Sequence, residues 1–468
     1  MVAAGTVPTV VIAAPSSGSG KTTVTTGLIG ALVAAGHRVA PFKVGPDYID
    51  PGYHGVAAGR LGRNLDPNLV GTDRIVPLLR AGSADADVAV VEGVMGLFDG
   101  RITGDDSDAL GTGSTAHVAA IIGAPVILVV DAAGHSQSLA ALLHGFLTYE
   151  SRVRVAGVIL NRVGSPRHEQ VLRQACGRIG LPVLGVVARD RALEVPSRHL
   201  GLIPAAERQS EAVDSVAAIV AKLSASLDVP AIMRIAQAAR TPAAAPWSPV
   251  DEVAGPEPEP AGRPVIAIAQ GAAFTFGYAE HAELLRAAGA DVVGFDPLHE
   301  RLPEGVTGVV IGGGFPEAHA DELAANRLLR ADLRAQVDAG RPVHAECAGL
   351  LYLLQTLDEV EMVGAIPGTG HFGPRLTLGY RDAVALTDSP LYRAGDRVTG
   401  HEFHRSTVRL DPELPSAWGW RGGDGAAVTD GVAHRGIHAS YLHVHPAGQP
   451  RAVARFVAAA RRPQEVLQ

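Results

Sequence analysis

The run Pro15-Ser16-Ser17-Gly18-Ser19-Gly20-Lys21-Thr22-Thr23 restricts the fold of this chain more than any other stretch. It follows the apolar residues Thr9-Val10-Val11-Ile12-Ala13-Ala14 and opens an alanine- and valine-rich segment with helical spacing. Strand, glycine turn and helix in that order make a phosphate cradle. Glycines let backbone N–H groups turn onto anionic oxygens, and the positive end of the new helix faces the same anion. Gly18, Ser19, Gly20, Lys21, Thr22 and Thr23 are therefore the candidate nucleotide-binding residues, with Lys21 as a mobile cation and the Thr22 hydroxyl as a ligand for Mg²⁺. Pro15 stands where the usual pattern has its first glycine.

The strand–turn–helix unit is repeated in kind. Short β-branched runs at 10–14, 38–44, 88–92, 125–131, 155–161 and 182–187 alternate with amphipathic alanine-rich segments. That alternation predicts an α/β domain, a mostly parallel sheet with helices on both faces, whose ligands sit at the carboxyl ends of the strands. At 468 residues the chain is too long for one ordinary domain. Its apolar runs have strand length rather than membrane length, and the start lacks the basic and apolar regions of a signal peptide, which predicts a cytoplasmic protein without a membrane span. Two cysteines, Cys176 and Cys347, exclude a disulfide framework and fit a reducing compartment. A net charge of −8 without basic tracts argues against a nucleic-acid partner.

The residues just after each strand are the ones to inspect. Behind the second run lies Phe42-Lys43-Val44-Gly45-Pro46-Asp47-Tyr48-Ile49-Asp50-Pro51, dense in charge for a loop. Asp47 is the expected metal ligand opposite Thr22, and Lys43, with Tyr48 and Asp50, the expected contact to a phosphoryl group or substrate carboxylate. Glu92 ends the third run, where a buried acid is costly unless paired or metal-bound, and completes the expected metal set Thr22, Asp47 and Glu92. Asp131 is a lesser candidate of the same kind. Asn161 either reads a nucleobase edge with its amide or caps a turn. The loop 193–202, with Arg198-His199, closes this half.

Between 240 and 262 prolines recur as in Gly255-Pro256-Glu257-Pro258-Glu259-Pro260, which neither helix nor central strand tolerates. The reading is three parts: an ATP-binding domain over 1–239, a proline-rich linker over 240–262 and a second α/β domain over 263–468. In the last part, strands are expected at 265–269, 291–295 and 306–311, the third ending in Gly312-Gly313-Gly314-Phe315-Pro316-Glu317. Then Val343-His344-Ala345-Glu346-Cys347-Ala348-Gly349-Leu350 runs from strand through a cysteine into an apolar helix. Such a tight turn exposes the side chain at its apex, and the helix start favours a thiolate, so Cys347 is the candidate nucleophile. A thiolate needs a base. His443 in Ser440-Tyr441-Leu442-His443-Val444-His445 fits better than the histidines of Gly400-His401-Glu402-Phe403-His404, and a zinc site is the lesser reading.

Taken in order, residues 15–23, 42–54, 92–99, 193–202, 312–317, 346–349, 400–404 and 440–443 resemble the motifs of the glutamine-dependent amidotransferases of corrin biosynthesis. The resemblance spans nearly the whole chain apart from the linker. It is nearest to the branch that amidates the a and c side-chain carboxylates of hydrogenobyrinic or cobyrinic acid, with cobyric acid synthases and nickel-tetrapyrrole amidases as rivals within the family. Outside it, a partitioning-type ATPase shares the phosphate loop but predicts no glutaminase half. The resemblance implies a phosphate-loop domain similar to dethiobiotin synthetase that uses ATP and Mg²⁺ to phosphorylate a carboxylate. It also implies a class I glutaminase-like domain in which Cys347 attacks glutamine and His443 shuttles the proton. N–H groups near Gly313 and Ala348 would hold the oxyanion. The implied partners are a corrinoid carboxylate, ATP and glutamine, and dimerisation stays open. The wider glutaminase class has an acid two residues after this histidine, where His445 stands here, so what orients His443 is unanswered by the sequence.

Overall fold

The computed structural model describes residues 7–102, 107–190, 197–198, 201–202, 209–254 and 262–461. The chain divides into two compact units, Met1–Trp247 and Ser248–Gln468. In the first, β1 (Thr9–Ala13), β2 (Val39–Val44), β3 (Arg63–Leu65), β4 (Val88–Glu92), β5 (Val126–Asp131), β6 (Val155–Val163) and β7 (Val183–Ala188) form one sheet. Their order is β3-β2-β4-β1-β5-β6-β7, and every pairing is parallel. Six of these strands stand where alternation predicts them. The three-residue edge strand β3 is too short to show in the pattern.

Both faces of the sheet are covered. Val10, Ile12, Val88, Val90, Ile127, Val129 and Ile159 pack with Val24, Leu28, Ile29 and Leu32 in one apolar core. The last four belong to α1 (Lys21–Ala34), the helix that leaves the phosphate loop. Burying each such side chain contributes roughly 1.5–3 kcal/mol, so the loop is anchored at both ends by elements that are hard to move. Strand order reverses at β1, whose neighbours are β4 and β5. Ligands of open parallel sheets bind at such a switch point.

A two-residue ladder, β8 (Ser197–Arg198) with β9 (Gly201–Leu202), is what the structure describes of the loop 193–202; its remaining residues lie outside the described set. The proline-rich stretch is shared between the units. Arg240 N–H bonds to Gly123 O and Trp247 N–H to Pro77 O in the first unit, whereas the helix Pro249–Val253 belongs to the second. Residues 255–261 are not described.

In the second unit β10 (Val265–Ala269), β11 (Asp291–Phe295), β12 (Val306–Ile311) and β13 (Val343–Glu346) are parallel. The chain then builds a separate mixed sheet from β14 (Leu354–Leu357), β15 (Val360–Glu361), β16 (Ile366–Ala385), β17 (Arg397–Leu410), β18 (Trp418–Arg421) and β19 (Ala427–Asp430). It returns through β20 (Val432–His434) to β21 (Ile437–Ser440), which lies parallel beside β13. The first sheet is ordered β11-β10-β12-β13-β21-β20, so the cysteine turn after β13 and the histidine segment after β21 leave neighbouring strands at the same end. Among the described residues no helix is long and apolar enough to cross a membrane.

Candidate active site

The first centre gathers at the carboxyl ends of β1, β2 and β4. Gly18 (φ 78°) and Gly20 (φ 90°) hold the loop in the left-handed region that glycine adopts without penalty. Gly20 caps α1, so the loop's N–H groups and the helix start point the same way. Ser19 Oγ donates to Ser16 O at 2.9 Å and closes the loop on itself. Asn161 Nδ2 donates to Ser19 O at 2.9 Å, and Asn161 Oδ1 accepts from Arg162 N–H. Asn161 thus braces the cradle from β6, and a Cβ on Gly20 would run into its amide.

Lys21 Nζ donates to Met95 O at 2.5 Å, across the start of the loop after β4. Burial and the nearby charge of Lys43 lower its pKa, with Glu92, Asp50 and Asp99 acting the other way. Thr22 Oγ1 lies 2.8 Å from Glu92 Oε1 and 3.1 Å from Asp50 Oδ2. Lys43 Nζ is buried between the same two carboxylates, 2.6 Å from Asp50 Oδ2 and 3.1 Å from Glu92 Oε1. Burial opposes the charge on Lys43, but Asp50 and Glu92 outweigh it and its pKa is raised. Burial together with Asp47 pushes Asp50 up to about 7. Burial would also raise Glu92, yet Lys43 and His54 bring it down to about 2.

Asp47 does not meet Thr22. Its Oδ1 accepts the N–H groups of Ile49 and Asp50 at 2.8 and 3.0 Å, fixing the entry to α2 (Asp50–Ala58), and its Oδ2 is 3.8 Å from Lys43. Asp50, the first residue of that helix, is the carboxylate that reaches Thr22. Tyr48 is half-buried in the same turn, and Thr23 half-buried in the first turn of α1. Asp131 is engaged elsewhere, 2.5 Å from Arg162 Nη1. His54, which residue type alone did not single out as a site residue, places Nε2 2.5 Å from Glu92 Oε2 and Nδ1 3.0 Å from Thr26 Oγ1. Its spacing of four from Asp50 puts both on one face of α2, a pattern visible in the sequence. Thr22, Asp50 and Glu92 together offer a hydroxyl and two carboxylates. That all-oxygen set suits Mg²⁺, which binds few protein ligands and takes the rest of its shell from phosphates and water.

The second centre is a turn of strained backbone. Cys347 has φ 51° and ψ −101°, between β13 and the helix Ala348–Leu353, with its N–H held by Ser440 O at 2.7 Å. A side-chain-bearing residue in that region costs of order 1–3 kcal/mol, and such strain marks a nucleophile elbow. His443 is fully buried, and its backbone exchanges two 2.9 Å hydrogen bonds with His401 of β17. Burial alone would lower its pKa, but the neighbouring Cys347 thiol and Glu346 carboxylate raise it to about 10. Glu346 Oε2 lies 3.5 Å from His443 Nδ1. Burial works against the charge of Glu346, and His344 and His443 nevertheless hold it far below the usual carboxylate range.

Gly313 lies against the same imidazole. A Cβ there would stand 2.6 Å from His443 Cε1. The next loop residues are tied in turn, Gly312 O accepting from Gly349 N–H at 3.0 Å and Gly313 O from Phe276 N–H at 3.0 Å. Ala348 opens the helix behind the cysteine. His445 sits apart, its ring tilted against Tyr278 with centroids 4.0 Å apart and its Nε2 4.0 Å from Glu280. Of the earlier histidine group, His404 stacks on Tyr441 at 3.7 Å.

Residues 10–203 match the family described as CobQ/CobB/MinD/ParA nucleotide binding domain, and residues 265–450 the family described as CobB/CobQ-like glutamine amidotransferase domain. Hydrogenobyrinate a,c-diamide synthase of Mycobacterium tuberculosis (strain ATCC 25618 / H37Rv) is 59% identical over 97% of this chain and 98% of that protein. The protein of the same name from Streptomyces coelicolor is 51% identical over 96% and 97%. Cobyrinate a,c-diamide synthase of Synechococcus sp. (strain ATCC 27144) is 41% identical over 97% and 98%.

Proposed function

The chain belongs to the a,c-diamide synthase family of glutamine-dependent amidotransferases, and from that premise we propose that it amidates the a and c side-chain carboxylates of hydrogenobyrinic acid. It is an amidating enzyme; in this reading it is a carbon–nitrogen ligase that spends ATP and takes its nitrogen from glutamine. The observation that carries the reading is the pairing, in one chain, of a phosphate cradle facing two carboxylates with a cysteine elbow facing a buried histidine. The metal-free ring is favoured because relatives named for hydrogenobyrinate are 49–59% identical, against 41% for a cobyrinate enzyme. ATP and glutamine as the proposed co-substrates support a cytoplasmic reaction.

A carboxylate accepts an amine only after one of its oxygens becomes a leaving group. The N–H groups of residues 18–23 and Lys21 hold the triphosphate, and Lys43 steadies the transferring phosphoryl group or the carboxylate that receives it. Magnesium, when bound by Thr22, Asp50 and Glu92, would neutralise charge on the phosphates. Asp50 takes the role that spacing alone gave to Asp47, which shapes the turn. The carboxylate oxygen attacks the γ-phosphorus, ADP leaves, and the acyl phosphate is then displaced by ammonia with release of phosphate.

Ammonia comes from the second unit. Cys347 Sγ attacks the glutamine side-chain carbonyl carbon, and N–H groups at Gly313 and Ala348 stabilise the oxyanion. His443 delivers its proton to the departing ammonia, then takes one from the water that cleaves the thioester to glutamate. Product mass spectrometry tests the proposal: ATP, Mg²⁺ and glutamine are supplied with hydrogenobyrinic acid or with cobyrinic acid. A gain of two amides on hydrogenobyrinic acid is expected. No amidation of either ring, with ATP still bound, would refute the substrate assignment.

A further inference from the structure

We propose that Glu346 is the positioning acid of the glutaminase centre, holding His443 through Nδ1 from the residue that precedes the nucleophile. The inference rests on the assignment of Cys347 and His443 above and supplies the orienting group that the His443-Val444-His445 sequence lacks. The acid does not come from the histidine's own segment. Glu346 and Ser440 are partners across the parallel β13–β21 pairing, and the three residues after Ser440 bring His443 back over the end of β13.

Each oxygen of Glu346 has its own partner. Oε2 lies 3.5 Å from His443 Nδ1, while Oε1 accepts Val444 N–H at 3.2 Å and stands 3.4 Å from His344 Nε2. The carboxylate is thus pinned by the backbone beside His443 and by the strand that carries Cys347. With Nδ1 facing Glu346, Nε2 is the nitrogen left for the thiol. The elbow at Cys347 makes this possible: in an extended strand the side chains of 346 and 347 point to opposite faces, whereas φ 51° at Cys347 turns the chain so that both reach one imidazole.

Other titratable groups facing this imidazole do not compete for the role. His401 of β17 is buried and its pKa is pushed down to about 3 by burial and by His443, so it brings no charge, and His438 of β21, also about 3, lies against His344. His344 shares the carboxylate rather than replacing it. An anion at Nδ1 fixes the tautomer and stabilises the imidazolium that forms when the thiol gives up its proton, the work of a triad acid.

Glu346→Gln separates this role from a purely structural one, because the amide oxygen still accepts Val444 N–H while the charge is gone. Glutamine hydrolysis by the full-length enzyme is measured across pH for wild type, Glu346→Gln, Glu346→Asp and Cys347→Ala. Glu346→Gln is expected to lower kcat about 10²- to 10⁴-fold, the upper end being the loss when a triad acid becomes an amide. KM should change little. The alkaline limb of kcat/KM, on which His443 loses its proton, should move to lower pH, and Glu346→Asp should recover part of the rate. Amidation from ammonium by the same preparations reports on the ATP half. A Glu346→Gln enzyme with wild-type turnover and limbs beside an inactive Cys347→Ala enzyme overturns the inference and leaves the nucleophile standing. Equal losses in the Asp and Gln variants with an unmoved limb also overturn it, as a brace would behave so. Hydrolysis that survives Cys347→Ala would instead sink the underlying assignment.

Discussion

Replacing Gly313 by alanine offers a measured intrusion into the glutaminase centre. The backbone at Gly313 is not in the left-handed region, so alanine is conformationally acceptable and the N–H proposed for the oxyanion survives. The added methyl would lie 2.6 Å from His443 Cε1, against an ordinary contact of at least 3.4 Å, and also 3.0 Å from Phe276 Cδ2. Retreat past Phe276 is closed, so the imidazole must give by the missing 0.8 Å. A shift near 1 Å in a reacting group costs about 10²-fold in rate, and overpacking adds roughly 1–3 kcal/mol of destabilisation. The expected result is glutamine-driven amidation reduced about 10²-fold while ammonium-driven amidation stays within about twofold. The assay is diamide formation from each nitrogen donor under saturating ATP. Undiminished glutamine-driven amidation by Gly313→Ala would show that His443 does not hold the critical position.

Gly20→Ala places a side chain at φ 90° and into the Asn161 amide; the left-handed conformation alone costs roughly 1–2 kcal/mol. It should abolish ATP-dependent amidation from either donor while glutamine hydrolysis persists, and a variant that still amidates contradicts the cradle. Asp50→Asn should lower ammonium-driven amidation about 10- to 100-fold, the loss of a charged hydrogen bond, and Asp47→Asn much less. The reverse order in Mg²⁺ titrations would restore Asp47 as the metal-side carboxylate. His401 and His438 stay neutral in the folded protein down to about pH 3, whereas the unfolded chain protonates them near pH 6.5. The unfolded state therefore binds more protons below pH 6.5, and stability falls with acidification by up to about 1.4 kcal/mol per pH unit for each group. Asp50 and Asp430, both pushed up to about 7, take up protons in the folded state over the same range and act the other way, so calorimetry reads a difference. Between pH 6.5 and pH 5 the melting temperature of wild type should fall more than that of His438→Gln, and identical pH profiles refute the neutral, buried state of that ring.

Much of this architecture is legible in the sequence because its signals are local. The run 9–23 carries strand, turn and helix within one stretch, and Glu92 sits at the end of an unmistakable buried strand. The cysteine elbow likewise reads from Val343 to Leu350. What escaped depends on contacts between distant segments. Asp47 and Asp50 are three residues apart in one acidic turn, and only the start of α2 decides that the first caps backbone N–H groups and the second faces Thr22. Glu346 reads as a strand residue until β21 is laid beside β13, a pairing of segments more than ninety positions apart whose register no periodicity reveals. The long β16–β17 ribbon, which pins His443 through His401, shifts register between Phe372 and Thr377, around Gly373-Pro374, and shows no clean alternation.

The central claim is that one chain releases ammonia at Cys347 and uses it at an ATP-activated carboxylate. Glutamine labelled with ¹⁵N in its side-chain amide, supplied with unlabelled ammonium, hydrogenobyrinic acid, ATP and Mg²⁺, tests it in one mass spectrum of the product. Wild type should carry both new amides predominantly as ¹⁵N, and Cys347→Ala should form the same diamide with unlabelled nitrogen alone. Labelled amides from the Cys347→Ala enzyme, or unlabelled ones from wild type, would contradict the account.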